Sequence, residues 1–538
     1  MRIYFMKLCR TKKILPLILL LLVYTFICTV LSYYYINSIY GMSAKSILGN
    51  VFFYISTMTT LFFIIIVHNC ICSSHKLIVA FGFSLLFLFL SEINYFIFYG
   101  EMISDGVLDS IVETNSYEAL SMSKQVLIIT GPAFIVAFLI LFILKKLVCI
   151  KFRLFIPINI YVLTLLSIIY FLVNYTALRH DLKRGFYKSA ASVIRNYYPA
   201  VVANLSYILL SYTTTDIYSD THEIEKFNEA VLLPPNKPDN DLIIFIMGES
   251  SFVSRYSTYG YHKHTTPFMT NIFSQNGGCI IPNSHSVAAF TRDSIPMTLS
   301  FNVPESDDNL FDNKSIIEMA KFNHYKTYWL ASAAQQIQGT FNTKFGFIAH
   351  KNDVISFSDT TLDISLSQLL EETLQKDNSP KKFILVHLHG SHQPYNNYDE
   401  VDKQALPDAE EYDLTIHHTD RAIKSLYDVI NKYSNNYTII YTSDHGEIVN
   451  VGHGIGDNVD QFLIPFMFIS TNQRYNCQFI ESFRGPNGYL SGLMNKYILS
   501  NLLGYEIDPA ILDKEKNNDR VFMPNSSVMP FSKLLNKH

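Results

Sequence analysis

The sequence is poor in charged residues. Only 16% of its 538 residues are Asp, Glu, Lys or Arg, whereas 49% are hydrophobic, and ordinary soluble domains carry about 25% charged residues. This composition argues against an intrinsically disordered chain, a collagen-like fibre and a nucleic-acid-binding protein. It also argues against the roughly three or four soluble domains that the length alone would suggest.

Cysteine is scarce as well. Five of the seven cysteines lie in or beside long apolar stretches: Cys9, Cys28, Cys70, Cys72 and Cys149. The other two, Cys279 and Cys477, are too few for an all-sulfur metal site in the rest of the chain. They allow either one disulfide or two buried thiols, and the sequence does not choose between these.

Charge is distributed unevenly along the chain. Residues 1–212 contain 17 basic and 7 acidic residues, a net charge of +10, whereas the remainder contains 25 basic and 39 acidic residues, a net charge of −14. The difference indicates two parts with different surroundings.

The first part contains five apolar stretches of the roughly 20 residues that a helix needs to cross a bilayer. They are Ile14–Tyr35, Leu48–Val67, Leu77–Phe98, Val126–Leu144 and Leu154–Ala177. No small-residue cleavage site follows the first stretch, so we expect a retained anchor rather than a signal peptide.

Basic residues predict the orientation of these spans, because they favour cytoplasmic loops. Lys12 and Lys13 precede the first span, and Lys145 and Lys146 lie between the fourth and fifth. The loop between the third and fourth spans is acidic and should lie outside. An odd number of spans then places everything after Ala177 outside.

A junction is predicted between the spans and the rest of the chain. Basic and apolar residues are interleaved over 179–195, which favours an amphipathic helix on an anionic lipid surface, with a solvated connecting helix as the alternative. The proline-rich stretch Pro234–Asn240 predicts a linker. We therefore expect a five-helix transmembrane domain at 1–178, an interfacial helix and linker at 179–240, and an external domain at 241–538.

Short apolar runs alternate with helical patterns in the external domain. The predicted strands are Leu242–Met247, Tyr325–Leu330, Phe383–His387, Tyr437–Tyr441 and Pro465–Ile469. The predicted helices are Ser315–Phe322, Ile364–Gln375, Glu410–Lys432 and Gly488–Leu503. This alternation indicates an α/β domain with a largely parallel central sheet, whose ligands gather at the carboxyl ends of the strands.

Polar residues follow three of these strands directly. Glu249 follows the first, His389 the third, and Asp444 and His445 the fourth. One such residue would more often be structural, but parallel strands bring all of these ends together. Glu249, Asp444 and His445 supply two oxygens and one nitrogen, which suits zinc with one position left open for activating a hydroxyl.

Several motifs resemble those of the membrane-bound phosphoethanolamine transferases, in the alkaline-phosphatase-like (sulfatase-like) superfamily. They are GESSFVSRYSTYGYHKHTTP at 248–267, TRDSIPMTLS at 291–300, Asp444-His445-Gly446-Glu447, His453-Gly454, and His387 and His392 around Gly390-Ser391. Five spans followed by such a domain match the family architecture. The resemblance implies a multi-pass protein of the bacterial inner membrane with its catalytic domain in the periplasm.

The resemblance also implies roles for individual residues. It predicts zinc ligation by Glu249, Thr291, Asp444 and His445, with one firm zinc site and room for a second metal during turnover. Thr291 is the implied nucleophile, which becomes modified by phosphoethanolamine.

Other implied roles concern the substrates. His392 and His453 would contact the phosphoryl group or a second metal and assist proton transfer, and His387 would belong to the substrate-binding set. Thr114 and Glu118 resemble a family segment that touches the headgroup of the donor lipid. A capped loop helix without contact to the lipid is the alternative for these two.

The implied reaction transfers phosphoethanolamine from phosphatidylethanolamine to a lipopolysaccharide acceptor, either an inner-core sugar or lipid A. Membrane lipids are the expected partners, and nucleic acid is not. Cysteines that flank the nucleophile in lipid A-modifying members are missing, and Ser110 replaces a family asparagine. The missing cysteines favour an acceptor other than lipid A, such as the inner-core sugars.

Three alternatives differ in how well they fit. A sulfatase needs a Cys/Ser-x-Pro-x-Arg segment for its formylglycine, and nothing around Thr291 provides one. A phosphoglycerol transferase shares both the threonine chemistry and the five spans. A non-catalytic membrane scaffold with an enzyme-like external domain is disfavoured because the predicted ligand set is complete.

Overall fold

A computed structural model describes residues 63–99, 103–104, 106–108, 111, 123–147, 200–211, 223–335 and 344–537. The chain divides into two compact units. The described residues up to 211 belong to the first unit, and those from 223 onward belong to the second.

The described residues of the first unit are mostly helical. Its helices are α1 (Lys76–Tyr99), α2 (Ser123–Leu147) and α3 (Ala200–Ser211), and residues 63–71 are also helical. Lys76–Tyr99 and Val126–Lys146 are long and apolar enough to cross a membrane. They coincide with the third and fourth predicted spans.

Most of the other helices predicted for this unit fall outside the described residues. The helix at 63–71 overlaps the end of the predicted second span. The first span, the fifth span and the amphipathic helix at 179–195 lie outside the described residues, so the count of five spans stays a prediction. Helix α3 was not predicted, because its apolar sequence falls in the stretch that was assigned to the junction.

Polar side chains connect the helices of the first unit. Asn94 Nδ2 in α1 donates to the carbonyl oxygen of Ile129 in α2 over 2.5 Å. Glu92 is buried, and it accepts hydrogen bonds from Asn204 Nδ2 of α3 at 2.8 Å and from the amide of Ile103 at 3.0 Å. A polar group in an apolar helix is stabilised when it finds such partners.

The second unit contains an eight-stranded sheet. Its strands are β2 (Leu242–Gly248), β3 (Gly278–His285), β4 (Lys326–Ala331), β5 (Val354–Phe357), β6 (Lys382–His387), β7 (Tyr437–Ser443), β8 (Leu463–Ser470) and β9 (Leu490–Ser491). Their order is β5-β4-β6-β2-β7-β8-β3-β9. Strand β8 is antiparallel to both of its neighbours, and the remaining pairs are parallel.

Further elements surround this sheet. The helices are α4 (Pro267–Phe273), α5 (Thr291–Leu299), α6 (Asp308–Asp312), α7 (Ile316–Phe322), α8 (Lys344–Ala349), α9 (Leu366–Lys376), α10 (Glu400–Ala405), α11 (Glu411–Tyr433), α12 (Cys477–Glu481), α13 (Asn495–Leu502), α14 (Pro509–Asn517) and α15 (Phe531–Leu535). The strands β1 (Val231–Leu232) and β10 (Glu506–Ile507) form one antiparallel pair, and β11 (Arg520–Phe522) and β12 (Val528–Pro530) form another.

The predicted largely parallel α/β architecture is confirmed. All five predicted strands are present, as β2, β4, β6, β7 and β8. Strand β3 was missed because Pro282 and Asn283 interrupt its pattern. Asn283 has a φ of 57°, and the pairing with β8 shifts register between Ile281 and Ser284. In the predicted helix Gly488–Leu503, only Asn495–Leu502 is α-helical.

Both faces of the sheet are covered, which explains the uninterrupted apolar runs of its central strands. Ile243, Phe245 and Met247 of β2 pack into one hydrophobic cluster with Trp329. The alternate residues, including Ile244, pack into a second cluster that contains the buried face of α11. Successive side chains of a strand point to opposite faces, so one strand supplies both cores.

The second unit begins on the N-terminal side of the predicted linker. The amide of Ile224 donates to Glu318 Oε1 over 2.8 Å, and the Phe227 ring lies 5.0 Å from that of Phe322. Strand β1 then pairs with β10. The stretch Pro234–Asn240 has neither helix nor strand, as its prolines predict.

One disulfide connects Cys279 of β3 to Cys477 at the start of α12, with their Cα atoms 5.1 Å apart. This distance lies within the usual range for a disulfide. Of the two states that the sequence allowed, the structure therefore has the crosslinked one.

We predict that replacing both Cys279 and Cys477 by Ser lowers the free energy of unfolding of the second unit by about 2–5 kcal/mol, because the crosslink restricts the unfolded chain. Trp329 is the chain's one tryptophan and is buried in β4, so its fluorescence during denaturation reports on this unit. The paired change Cys70→Ser and Cys72→Ser, at two cysteines of the first unit, should leave the denaturation midpoint of the second unit unchanged. Equal denaturation midpoints for the wild-type protein and both double variants would contradict the prediction.

Candidate active site

The predicted convergence of strand ends is confirmed by the register of the sheet. Strand β2 lies between β6 and β7, and its Met247 pairs with His387 while Gly248 pairs with Ser443. The next residues after these pairs, Glu249 and Asp444, therefore leave the sheet at the same level. The sheet itself brings the two carboxylates together.

Three buried side chains form the centre of the site, which we call the carboxylate–histidine cluster: Glu249, Asp444 and His445. His445 Nε2 lies 3.1 Å from Glu249 Oε1 and 3.3 Å from Asp444 Oδ2. His445 Nδ1 is directed to the carbonyl oxygen of Gly446 at 2.8 Å. This hydrogen bond holds the imidazole so that Nε2 faces both carboxylates.

Thr291 brings a hydroxyl to this cluster. Its Oγ1 donates to Glu249 Oε2 over 3.0 Å and lies 3.3 Å from His445 Nε2. Thr291 is the first residue of α5, where amide groups without helical acceptors and the positive end of the helix dipole favour negative charge. Unlike the cluster, Thr291 is only half-buried, so another molecule can reach it.

Burial and mutual proximity shift the pKa values of the cluster. Burial raises the pKa of Asp444, and the charge of Glu249 raises it further. Although burial alone favours its neutral form, the carboxylates of Asp444 and Glu249 raise the pKa of His445 to about 9. Burial opposes the ionisation of Glu249, but His445 holds the pKa of that carboxyl well below its usual range. Two buried carboxyl groups thus share one imidazolium, and Asp444 is the one that burial and its neighbour's charge push toward protonation.

The cluster fits a metal ion. The ligand atoms of Glu249, Asp444 and His445 all lie within 4.8 Å of one another. Among the described residues, the buried Asp444 Oδ2 has no hydrogen-bond partner beyond the His445 nitrogen at 3.3 Å, which is unfavourable for a carboxylate oxygen unless a cation supplements its surroundings. Two oxygens and one nitrogen suit zinc, and the Thr291 hydroxyl lies where a fourth ligand is needed.

A second histidine extends the site. His453 is half-buried, and its ring centre lies 4.1 Å from that of His445. His453 Nδ1 lies 2.9 Å from Glu447 Oε2, and Tyr395 donates its hydroxyl hydrogen to Glu447 Oε1 over 2.8 Å. Burial lowers the pKa of His453, and the nearby His445 lowers it further. A neutral His453 that donates Nδ1–H to Glu447 keeps Nε2 ready to accept a proton.

His445, Glu447 and His453 form a second group of donor atoms within 4.8 Å of one another. It shares His445 with the carboxylate–histidine cluster, so the two groups are adjacent. The second metal that the resemblance allows during turnover stays a prediction.

The other predicted site residues lie in different places. His392 is half-buried at the rim, with its ring centre 5.7 Å from that of His453. His387 is fully buried, with Nε2 3.8 Å from Glu249 Oε2, so it lies behind a predicted ligand. Thr114 and Glu118 are outside the described residues.

Two glycines allow the close packing of this site. Gly390 has a φ of 56°, and a Cβ there would lie 2.5 Å from the carbonyl oxygen of Glu249. Gly454 has a φ of 72°, and a Cβ there would lie 2.1 Å from the ring of Phe290, next to Thr291. Only glycine combines these backbone conformations with such contacts.

Sequence reasoning missed Glu447 and Tyr395 as site residues. Glu447 belongs to the quoted Asp444–Glu447 motif, and that position was the available signal. Tyr395 gave no signal, because its contact with Glu447 joins residues 52 positions apart.

Comparisons with known proteins agree with the motifs. Residues 241–484 match the sulfatase family. Phosphoethanolamine transferase OpgE of Escherichia coli (strain K12) is 24% identical over 277 residues, which cover 47% of this chain and 50% of OpgE. Phosphoethanolamine transferase EptC of the same strain is 25% identical over 317 residues, 51% of this chain and 53% of EptC. The chain thus spans about half the length of these relatives.

A solved structure extends the likeness in fold. The integral membrane protein lipooligosaccharide phosphoethanolamine transferase A (EptA) from Neisseria meningitidis matches with a TM-score of 0.58 at 17% identity, covering 91% of this chain and 95% of EptA. The sulfatase-family domain at 241–484 and the resemblance to phosphoethanolamine transferases are therefore confirmed.

We predict that zinc binding becomes tighter as the pH rises. Zinc has to displace the proton of His445, whose pKa is raised to about 9, and below about pH 7 also that of Asp444, whose pKa is raised to about 7. The apparent affinity should therefore increase by about tenfold per unit from about pH 7 to 8, and more steeply below about pH 7. Chelator competition on the full chain measures this slope. Asp353 lies at the opposite end of the sheet, where it accepts a hydrogen bond from the amide of Thr327, so Asp353→Asn should leave the pH dependence of zinc affinity unchanged. Asp444→Asn should abolish tight zinc binding. A flat profile would contradict the assignment.

Proposed function

We propose that the protein is a zinc-dependent transferase that moves phosphoethanolamine from phosphatidylethanolamine to a lipopolysaccharide acceptor through a covalent threonine intermediate. The observation that carries this proposal is the position of Thr291. Its half-exposed hydroxyl lies 3.0 Å from Glu249 and 3.3 Å from His445, against a buried cluster that is short of positive charge. A nucleophilic hydroxyl needs this kind of neighbourhood.

In the first half-reaction, Thr291 Oγ1 attacks the phosphorus of phosphatidylethanolamine. The Oγ1–P bond forms, and the bond from phosphorus to the diacylglycerol oxygen breaks. The hydroxyl proton passes to the cluster, and one proton passes on from the cluster to the departing oxygen through Nε2 of His453, which is neutral at the outset, or through His392. Diacylglycerol is released, and phosphoethanolamine remains on Thr291.

In the second half-reaction, an acceptor oxygen attacks the same phosphorus. The new O–P bond forms, the Oγ1–P bond breaks, and the oxygen of Thr291 regains a proton. His453 suits the removal of the acceptor's proton, because its pKa is lowered and Glu447 orients its ring. The two half-reactions therefore use the same residues in opposite directions.

Glu249, Asp444, His445 and Thr291 would hold the zinc. When bound, zinc lowers the pKa of a hydroxyl and offsets the negative charge that develops on the transferred phosphoryl group. His387 is too buried for substrate contact in the described arrangement and is better suited to orienting Glu249. A second metal during turnover would use Glu447 and His453 without His445, because His445 Nε2 is assigned to the zinc and Nδ1 is directed to the Gly446 carbonyl.

The first unit suits lipid substrates. In this proposal, residues 1–178 form a five-helix transmembrane domain of the inner membrane, 179–240 an interfacial helix and linker, and 241–538 a periplasmic catalytic domain. The Cys279–Cys477 disulfide supports an oxidising compartment for the catalytic domain. Thr114 and Glu118 belong to the loop that is predicted on the same side and remain candidates for contact with the donor headgroup.

The acceptor is proposed as an inner-core sugar or lipid A. The cysteines that flank the nucleophile in lipid A-modifying members are absent here, which favours the inner core. Lipopolysaccharide from cells with and without the gene can be split into lipid A and core fragments. One added phosphoethanolamine on one fragment identifies the acceptor region.

Two alternatives remain for comparison. A phosphoglycerol transferase would use the same threonine, and the relatives' shared name argues against it. A non-catalytic scaffold would not need a hydroxyl directed at the carboxylate–histidine cluster.

We predict that Thr291→Ala lowers diacylglycerol release from phosphatidylethanolamine by on the order of 10³-fold or more, because the attacking oxygen is lost. Mass spectrometry of the released lipid measures this. Thr298→Ala makes the same change at a buried position of the same helix and should keep most of the activity. Undiminished release from the Thr291 variant would exclude it as the nucleophile.

We also predict a covalent adduct on Thr291. Without acceptor, acid-quenched protein should yield a peptide that contains Thr291 and carries phosphoethanolamine, which peptide mass spectrometry identifies by mass and nitrogen content. A phosphoglycerol adduct on that peptide would instead establish the rival transferase. An adduct on another residue would refute the assigned chemistry.

A further inference from the structure

A buried carboxylate outside the known motifs holds the loop that follows β6. Asp363 lies in a short turn before α9 and is fully buried. Its Oδ1 accepts from the amide of His389 and its Oδ2 from the amide of Gly390, each over 2.8 Å. Asp363 therefore binds two consecutive backbone amides of a loop that it does not belong to.

Asn397 completes this arrangement. Its Nδ2 donates to Asp363 Oδ2 over 2.6 Å and to the carbonyl oxygen of Gly390 over 2.9 Å. Its Oδ1 accepts from the amide of Asp363 at 3.3 Å. The amide and the carbonyl of Gly390 are thus both fixed by the pair Asp363 and Asn397, which we call the Asp–Asn clamp.

The clamped loop touches the site directly. Gly390 packs so closely on Glu249 that a Cβ would meet the carbonyl oxygen of Glu249 at 2.5 Å. The amide of Ser391 donates to that same carbonyl oxygen over 2.9 Å. The next residue is His392, at the rim. One loop therefore sets the backbone of a candidate metal ligand and carries a candidate proton-transfer histidine.

The chemistry of the clamp favours a role in positioning. All three groups that donate to the Asp363 side chain are uncharged N–H groups, and burying a carboxylate among neutral partners is unfavourable compared with leaving it in water. In return, hydrogen bonds to an ionised acceptor are shorter and stronger than neutral ones. Catalytic groups tolerate displacements of only about 0.5 Å. Strong hydrogen bonds from the clamp to this loop would keep the site residues within that limit.

We propose that Asp363, with Asn397, is a positioning residue that sets Glu249 for metal binding and His392 for catalysis. This inference rests on the proposed function for its catalytic part only. Its part concerning Glu249 applies to metal binding whatever the reaction is.

The chain offers a matched control for this proposal. Asp420 is also fully buried, and its two oxygens accept from the consecutive amides of Phe268 at 2.9 Å and Met269 at 2.6 Å. This second pair of hydrogen bonds fixes the start of α4, which contains none of the site residues. The change Asp→Asn removes the same kind of interaction at both places, because a carboxamide presents a donor to one of the two amides.

The test uses the full chain in detergent, with zinc alone as the probe. We expect Asp363→Asn to raise the dissociation constant for zinc by about 10–100-fold in chelator competition, the range found for outer-shell partners of metal ligands. Asp420→Asn should change it by less than about threefold. With phosphatidylethanolamine, kcat for diacylglycerol release should fall by on the order of 10–100-fold in the first variant, with KM nearly unchanged.

Tryptophan fluorescence during denaturation compares the stability of the two variants. Should Asp363→Asn fail to fold, Asn397→Ala removes three hydrogen bonds of the clamp without adding a misplaced donor, and it should weaken zinc binding in the same direction. Equal zinc affinities in the clamp variant and Asp420→Asn would overturn the inference, as would a wild-type chain that binds no zinc. A wild-type chain that binds zinc but leaves the donor intact would refute the proposed function, while the zinc affinities would still decide the role of Asp363.

Discussion

Repulsion between two buried carboxylates is the constraint on which the second unit depends. Glu249 and Asp444 both approach the same nitrogen of His445, at 3.1 and 3.3 Å. The ligand oxygens of the two carboxyl groups therefore lie within 4.8 Å of each other, and like charges at such separations repel strongly where water is excluded. Burial and this repulsion raise the pKa of Asp444, so the site favours the uptake of positive charge. A proton supplies that charge, and a divalent cation would supply it as well.

The fold holds this arrangement before any cation arrives. Asp444 Oδ1 accepts hydrogen bonds from the backbone amide of His445 at 2.7 Å and from that of Ser250 at 3.3 Å. The parallel register of β2 and β7 fixes the positions at which Glu249 and Asp444 leave the sheet. Gly390 packs against the other side of Glu249. Because these contacts come from the backbone of the sheet and its loops, the repulsion cannot relax by moving a side chain alone. The same rigidity is what a metal site needs.

Sequence patterns predicted the parts of this site that follow local rules. Apolar runs located β2 and β7, and the residues directly after them gave Glu249, Asp444 and His445. Composition could not select Thr291 among many hydroxyls, and only the family motif singled it out. The structure supplies the physical reason, since this hydroxyl lies against the cluster.

The residues that sequence reasoning missed act across long stretches of chain. Asp363 accepts hydrogen bonds from backbone amides 26 and 27 positions later. Every residue except proline has such an amide, so the sequence does not indicate which ones Asp363 contacts. Strand β3 was missed because Pro282 and the φ of 57° at Asn283 break its alternation. Asp363 and β3 were both missed because their interactions form only when distant segments meet. The spacing of hydrophobic residues and the ends of strands, in contrast, can be read from neighbouring residues.

Exposure divides the site into two layers with different tasks. Glu249, Asp444 and His445 are buried, whereas Thr291, His392 and His453 are half-buried at the rim. In the proposed reaction, a large lipid substrate would reach only the rim, where the attacking hydroxyl and the proton-transfer groups lie. The charges of the cluster lie below, where the low dielectric strengthens each interaction. The Thr291 hydroxyl lies at the boundary, since its oxygen faces the cluster while the residue stays half-exposed. This geometry would suit the proposed transfer between two bulky partners in turn, because the transferred group would stay on Thr291 while one partner leaves and the other enters.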